Sequence, residues 1–81
     1  MVRLVNIGRD DRCIWCDYIP EGKEKPGFIK IYIETDEIIQ MEASPYEVET
    51  GLYWYSHHAK MQLMKLKNAI PLPDKAVAIW Y

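Results

Sequence analysis

An α+β fold is predicted for this 81-residue chain. The expected architecture is a five-stranded, mostly antiparallel sheet with one long amphipathic helix on one face, in the order strand, strand, strand, strand, helix, strand. Three observations lead there. Between Ser44 and Ile70 the apolar residues Val48, Leu52, Tyr55, Ala59, Leu63, Leu66 and Ile70 recur at helical spacing and stay within an arc of about 100°, the width of a core-facing stripe. Between Phe28 and Ala43 the pattern alternates, as in a half-buried hairpin. Both ends of the chain carry short apolar runs of strand length.

In chain order, Val2 to Ile7 reads as a strand with Val2 and Leu4 on one face and Val5 and Ile7 on the other. Apolar residues on both faces predict an inner position in the sheet. Gly8-Arg9-Asp10-Asp11 is a turn cluster, and Cys13 to Ile19 is the hairpin partner of the first strand. Pro20 to Gly27, with its breakers and alternating charges, is an exposed loop. In the second hairpin Ile29, Ile31 and Ile33 share the inner face with Ile39, Met41 and Ala43. A three-residue loop at Thr35-Asp36-Glu37 would then set Ile33 opposite Ile39, Ile31 opposite Met41 and Lys30 opposite Glu42.

The helix starts at Ser44-Pro45-Tyr46-Glu47. Ser44 is a capping residue, Pro45 suits the first turn, and Glu47 stands where a capping box needs it. Pro71-Leu72-Pro73-Asp74 ends the helical region, and Lys75 to Tyr81 is a last strand, with Ala76 and Ala78 allowing close approach of the helix. Eighty-one residues make a single domain spanning residues 1–81.

The net charge of −2 offers no general attraction to nucleic acid or an anionic membrane. No run approaches the roughly 20 apolar residues of a membrane span, and the apolar run after Met1 is too short for a signal peptide, so a cytoplasmic location is expected. The charge is segregated. From Ile31 to Ala59 there are six acids and no Lys or Arg, while the rest of the chain balances to +4. Glu47 and Glu49 near the helix start, and Lys60, Lys65 and Lys67 toward its end, follow the polarity of the helix dipole.

Cys13-Ile14-Trp15-Cys16 has the spacing of a zinc half-site, and His57-His58 follows it along the chain. A zinc-binding or small catalytic domain using Cys13 and Cys16 with His57 or His58 is therefore the alternative function. Against it, Ile and Trp favour an extended chain, where residues three apart face opposite sides about 10 Å from one another, too far for a disulfide. The cysteines read as buried structural residues and the histidines as helix-surface residues. No cofactor, metal or catalytic residue is assigned, since the chain has no clustered glycines, nucleophile elbow or H-E-x-x-H motif.

The outer helix face is the feature of most weight. It should be polar, yet it carries Tyr53, Trp54, His57, Met61 and Met64. Such a strip on a small domain marks a protein contact, unless the Pro20–Gly27 loop or Trp80-Tyr81 folds over it. The expected function is a non-enzymatic interaction module, self-associating or binding a protein partner through these five residues, without nucleic-acid or membrane binding. The sequence is silent on a small-molecule ligand.

Overall fold

The computed structural model describes residues 1–80; the predicted role of Tyr81 lies outside the described residues. Strand β1 (Val2–Arg9) pairs with β2 (Cys13–Pro20), β2 with β3 (Gly27–Tyr32), and β3 with β4 (Ile38–Glu42), all antiparallel. Helices α1 (Pro45–Thr50) and α2 (Trp54–Leu66) follow, and β5 (Ala76–Ala78) returns to pair antiparallel with β1. The sheet order is β4-β3-β2-β1-β5, so β1 is an inner strand, and β4 and β5 are the edges. A Cα radius of gyration of 11.7 Å is that of one packed unit of this length. Among the described residues no helix is long and apolar enough to cross a membrane.

The β1–β2 turn is held by Asp10, whose Oδ1 accepts from the backbone N–H of Arg12 (2.8 Å) and Cys13 (2.7 Å). Those two donors hold its carboxyl below the ordinary carboxylate range. Within β1, Asn6 adopts a positive φ of 52° and inserts one extra residue opposite β2, between the pairs Val5↔Asp17 and Gly8↔Trp15. This bulge corrects the predicted facing. Ile7 is turned back to join Val2 and Leu4 in the core, and Arg9 comes to the helix side of the sheet.

The second hairpin keeps Ile29, Ile31 and Met41 on the predicted inner face but changes its register. Ile29 pairs with Met41, Lys30 with Gln40 and Phe28 with Glu42, two residues away from the expected pairing, so Lys30 does not oppose Glu42. The cause is the turn. Asp36 takes a left-handed φ of 63° while its N–H donates to Tyr32 O, and the Tyr32 N–H donates to Glu37 O, so five residues separate the strands. A bulge then places Ile38 opposite Ile31 and leaves Ile39 exposed, not on the inner face.

The single long helix is replaced by two. Gly51 ends α1 in the left-handed conformation (φ 71°), with its N–H donating to Glu47 O at 2.8 Å, and the chain restarts at Trp54. Glycine reaches this conformation without the Cβ penalty and is a poor helix interior, so a break there is cheaper than continuing. The break resets the helical phase. Val48 is 65% exposed and Leu52 is exposed, while Ala59 and Leu63 are fully buried and Tyr55 and Leu66 pack beside them. Ile70, past the helix end, is 91% exposed.

The buried residue of α1 is Glu47, fully inaccessible. Its Oε1 accepts from Tyr18 OH (2.6 Å), from Ser44 Oγ (2.9 Å) and from the Ser44 N–H, completing the predicted capping box. Its Oε2 accepts from the Ser56 N–H in the first turn of α2 (3.0 Å), a helix whose own preceding residue, Tyr53, makes no side-chain cap. At the other end of α2 the Arg9 guanidinium donates to Lys67 O (3.0 Å) and Ala69 O (2.8 Å). A carboxylate at the N-terminus and a cation at the C-terminus both suit the helix dipole. Lys67 is paired with Asp36 at 2.7 Å.

Tyr18 reaches Glu47 because Gly27 leaves room for its ring. A Cβ on Gly27 would overlap the Tyr18 phenol and crowd the Ser44 N–H. An ordinary loop Gly→Ala change stabilises by about 0.4–1 kcal/mol through the unfolded state. Gly27→Ala is expected to do the opposite, costing about 1–3 kcal/mol through overpacking, as read by urea unfolding. A neutral or stabilising result defeats this account of the contact.

Candidate functional site

Helix α2 lies over β1, β2, β3 and β5 and makes no substantial contact with β4. A helix about 10 Å across cannot roof a sheet whose outer strands stand about 19 Å apart. The uncovered side is the β4 edge. There a groove of about 440 Å³ opens, walled by Ile29, Ile38 and Met41 from the sheet and by Tyr53, Ser56, His57 and Lys60 from the helix. The sequence does not reveal this groove, because Ile38 and Met41 read as ordinary hairpin residues. The available signal is the ratio of one helix to five strands.

The predicted contact strip stands next to the groove, and Tyr53 and His57 belong to both. Tyr53, Trp54, His57, Met61 and Met64 are all exposed, Trp54 to 62%. Neither the Pro20–Gly27 loop nor Trp80 lies on them. Trp80 stacks on His58 with ring centroids 3.8 Å apart and planes 9° from parallel, and meets Tyr55 edge-on at 5.6 Å. The Pro20–Gly27 loop sends the Lys23 ammonium over the Tyr46 ring at 4.7 Å, and Tyr46 meets Tyr55 edge-on. These aromatic contacts gather on the Tyr55–His58 side of the helix. Desolvation, with the neighbouring His57 and the chain N-terminus, holds the His58 imidazole below its ordinary pKa.

The cysteines occupy alternate faces of β2. Cys16 pairs with Ile29 and is a core residue; Cys13 pairs with Tyr32 and faces the other side of the sheet. Both are buried and free. Burial, with a smaller contribution from the Asp17 charge, pushes the Cys16 thiol up to about 12, which disfavours its thiolate at neutral pH. His57 and His58 meet each other edge-on, their rings 5.4 Å apart. Among the described residues no group of three or more His, Cys, Asp or Glu side chains is placed to hold a metal ion.

Among the described residues Lys60 is the one lysine or acid that lines the groove. Helix α2 carries Lys60 and Lys65 and no acid, whereas β4 and the loop before it carry Glu34, Asp36, Glu37 and Glu42 and no base. Comparison with protein-family models, curated proteins and solved structures finds no match to this chain.

Proposed function

We propose that this chain is a non-enzymatic protein-interaction module that self-associates through the outer face of α2, with Tyr53, Trp54, His57, Met61 and Met64 as the contact residues. The observation that carries the reading is the exposure of this aromatic and thioether strip beside an apolar groove. Interface centres are enriched in Trp, Tyr and Met and depleted of charge, and an aromatic anchor near a pocket is the usual energetic centre. Two unpaired thiols suit a reducing compartment, which supports a cytoplasmic setting for the module.

Light scattering across a concentration series tests the proposal. The parent is expected at twice its 9.6 kDa chain mass and Trp54→Ala at the single-chain mass. Because Trp54 is exposed, the substitution should change unfolding stability by no more than about 0.5 kcal/mol. A parent that stays at the single-chain mass removes the proposal.

A further inference from the structure

Among the described residues strand β4 pairs only with β3, so its free side presents alternate backbone N–H and C=O groups to any further strand. It carries no Lys or Pro, the residues that commonly guard such an edge. The groove opens beside this edge, with Ile29, Ile38, Met41 and Tyr53 as its apolar lining and no carboxylate among its lining residues. Lys60, which does line it, has no ion-pair partner among the described residues. The two walls run in opposite directions. The Lys67–Asp36 ion pair ties the C-terminal end of α2 to the turn before Ile38. At the other end the Ser56 N–H, through Glu47 and Tyr18, ties the first turn of α2 to the end of the sheet where Tyr18 pairs with Gly27 and Phe28 with Glu42. Tyr53 to Lys60 along the helix and Met41 to Ile38 along the strand each span about 10 Å, so Lys60 stands at the Ile38 end of the groove.

We propose that the groove receives the C-terminal end of an extended apolar peptide, which adds to β4 as a further antiparallel strand and gives its terminal carboxylate to Lys60. Every pairing in the sheet is antiparallel. A strand added antiparallel to β4 runs from Glu42 toward Ile38, so its last residue arrives beside Lys60. Backbone pairing at a sheet edge supplies affinity, and alternate side chains entering a pocket supply selection. About three residues span the groove, so one or two apolar side chains enter it. A cation with no acid in the same lining favours an anion, and an ammonium–carboxylate hydrogen bond is roughly twice as strong as a neutral one. The proposal goes beyond self-association through the outer strip and does not rest on it.

Two pools of short N-acetylated peptides test this, in each of which threonine alternates with valine, leucine or phenylalanine. One pool ends in a free carboxylate and the other in an amide. Added to the isotope-labelled chain, the carboxylate pool is expected to shift the amide resonances of Ile38–Glu42 and Tyr53–Lys60 and to slow hydrogen exchange along β4. Its apparent affinity should exceed that of the amide pool roughly tenfold. In Lys60→Ala, with folding checked by circular dichroism, the two pools should bind alike. Equal affinity of both pools for the parent overturns the proposal, as does a carboxylate preference that survives in Lys60→Ala, or no response to either pool. Shifts in Ile38–Glu42 that grow with protein concentration before any peptide is added would assign the edge to a second copy and overturn it too. Self-association is read separately, by light scattering without peptide. A monomeric parent that takes the carboxylate pool loses only the dimer, and a dimer that takes neither pool loses only the peptide site.

Discussion

Glu47→Ala is expected to destabilise this domain by about 3–5 kcal/mol, enough to leave much of it unfolded at 37 °C. The side chain is fully buried, and its two oxygens accept from Tyr18 OH, Ser44 Oγ and the backbone N–H groups of Ser44 and Ser56. Truncation leaves those donors facing a cavity, and each buried unsatisfied donor costs about 1–3 kcal/mol before any relaxation. Among the described residues it also removes the only side-chain acceptor given to the backbone N–H groups in the first turn of α2, since Tyr53 supplies none. Glu47→Gln keeps the volume and one acceptor oxygen but points an amide donor at another donor, so a smaller loss of about 1–3 kcal/mol is expected. For a domain of this size each kcal/mol moves Tm by about 4–8 °C, which thermal unfolding by circular dichroism resolves easily. An alanine variant within 1 kcal/mol of the parent would show that water or a rearranged loop satisfies the site as well as the carboxylate does.

The second large effect is the silence of Cys16 toward thiol reagents. Raising a thiol from its ordinary 9.0 to about 12 lowers the thiolate fraction near pH 8 about a thousandfold, before steric protection by the core is counted. In a Cys13→Ala background, reaction with a disulfide reagent should therefore be at least about a thousandfold slower in the native protein than in denaturant. Native and denatured rates within tenfold of each other defeat the prediction. The same shift has a consequence for alkaline stability. The unfolded thiol loses its proton near pH 9 while the folded one holds it, so the stability present below pH 9 declines as pH rises toward 12. Tyr18 acts in the same direction, because burial and its hydrogen bond to Glu47 raise the phenol above its ordinary value. Unfolding free energy should fall steadily above pH 9, and a flat profile to pH 11 would contradict both assignments.

Much of this molecule is legible residue by residue. Alternation in Phe28–Met41 assigns Ile29, Ile31 and Met41 to one face, and that assignment survives a two-residue change of register because the strand period is two. The Ser44–Glu47 capping box is present as its spacing predicts. The apolar residues from Tyr55 to Leu66 do line the core, and the opposite strip from Tyr53 to Met64 is exposed. What fails is whatever depends on continuity between elements. A single period drawn through Gly51 counts Val48 and Leu52 as core, although one left-handed residue is enough to reset the phase. A period drawn through Asn6 sends Ile7 to the wrong face for the same reason.

The sequence alone, then, determined five strands, a capped helical start, and the faces of those stretches that run without a break: the buried stripe from Tyr55 to Leu66 and the apolar strip opposite it. These follow from interactions within a few residues, which periodicity and capping chemistry record. Tertiary structure decided that Glu47 is buried and Val48 is not, and that the roof stops short of β4. The first outcome needs donors supplied from Tyr18 and Ser56, and the second depends on how one helix settles across a wider sheet. Both are properties of groups brought together from distant parts of the chain, where burying a carboxylate or leaving an edge bare is settled by the neighbours that arrive.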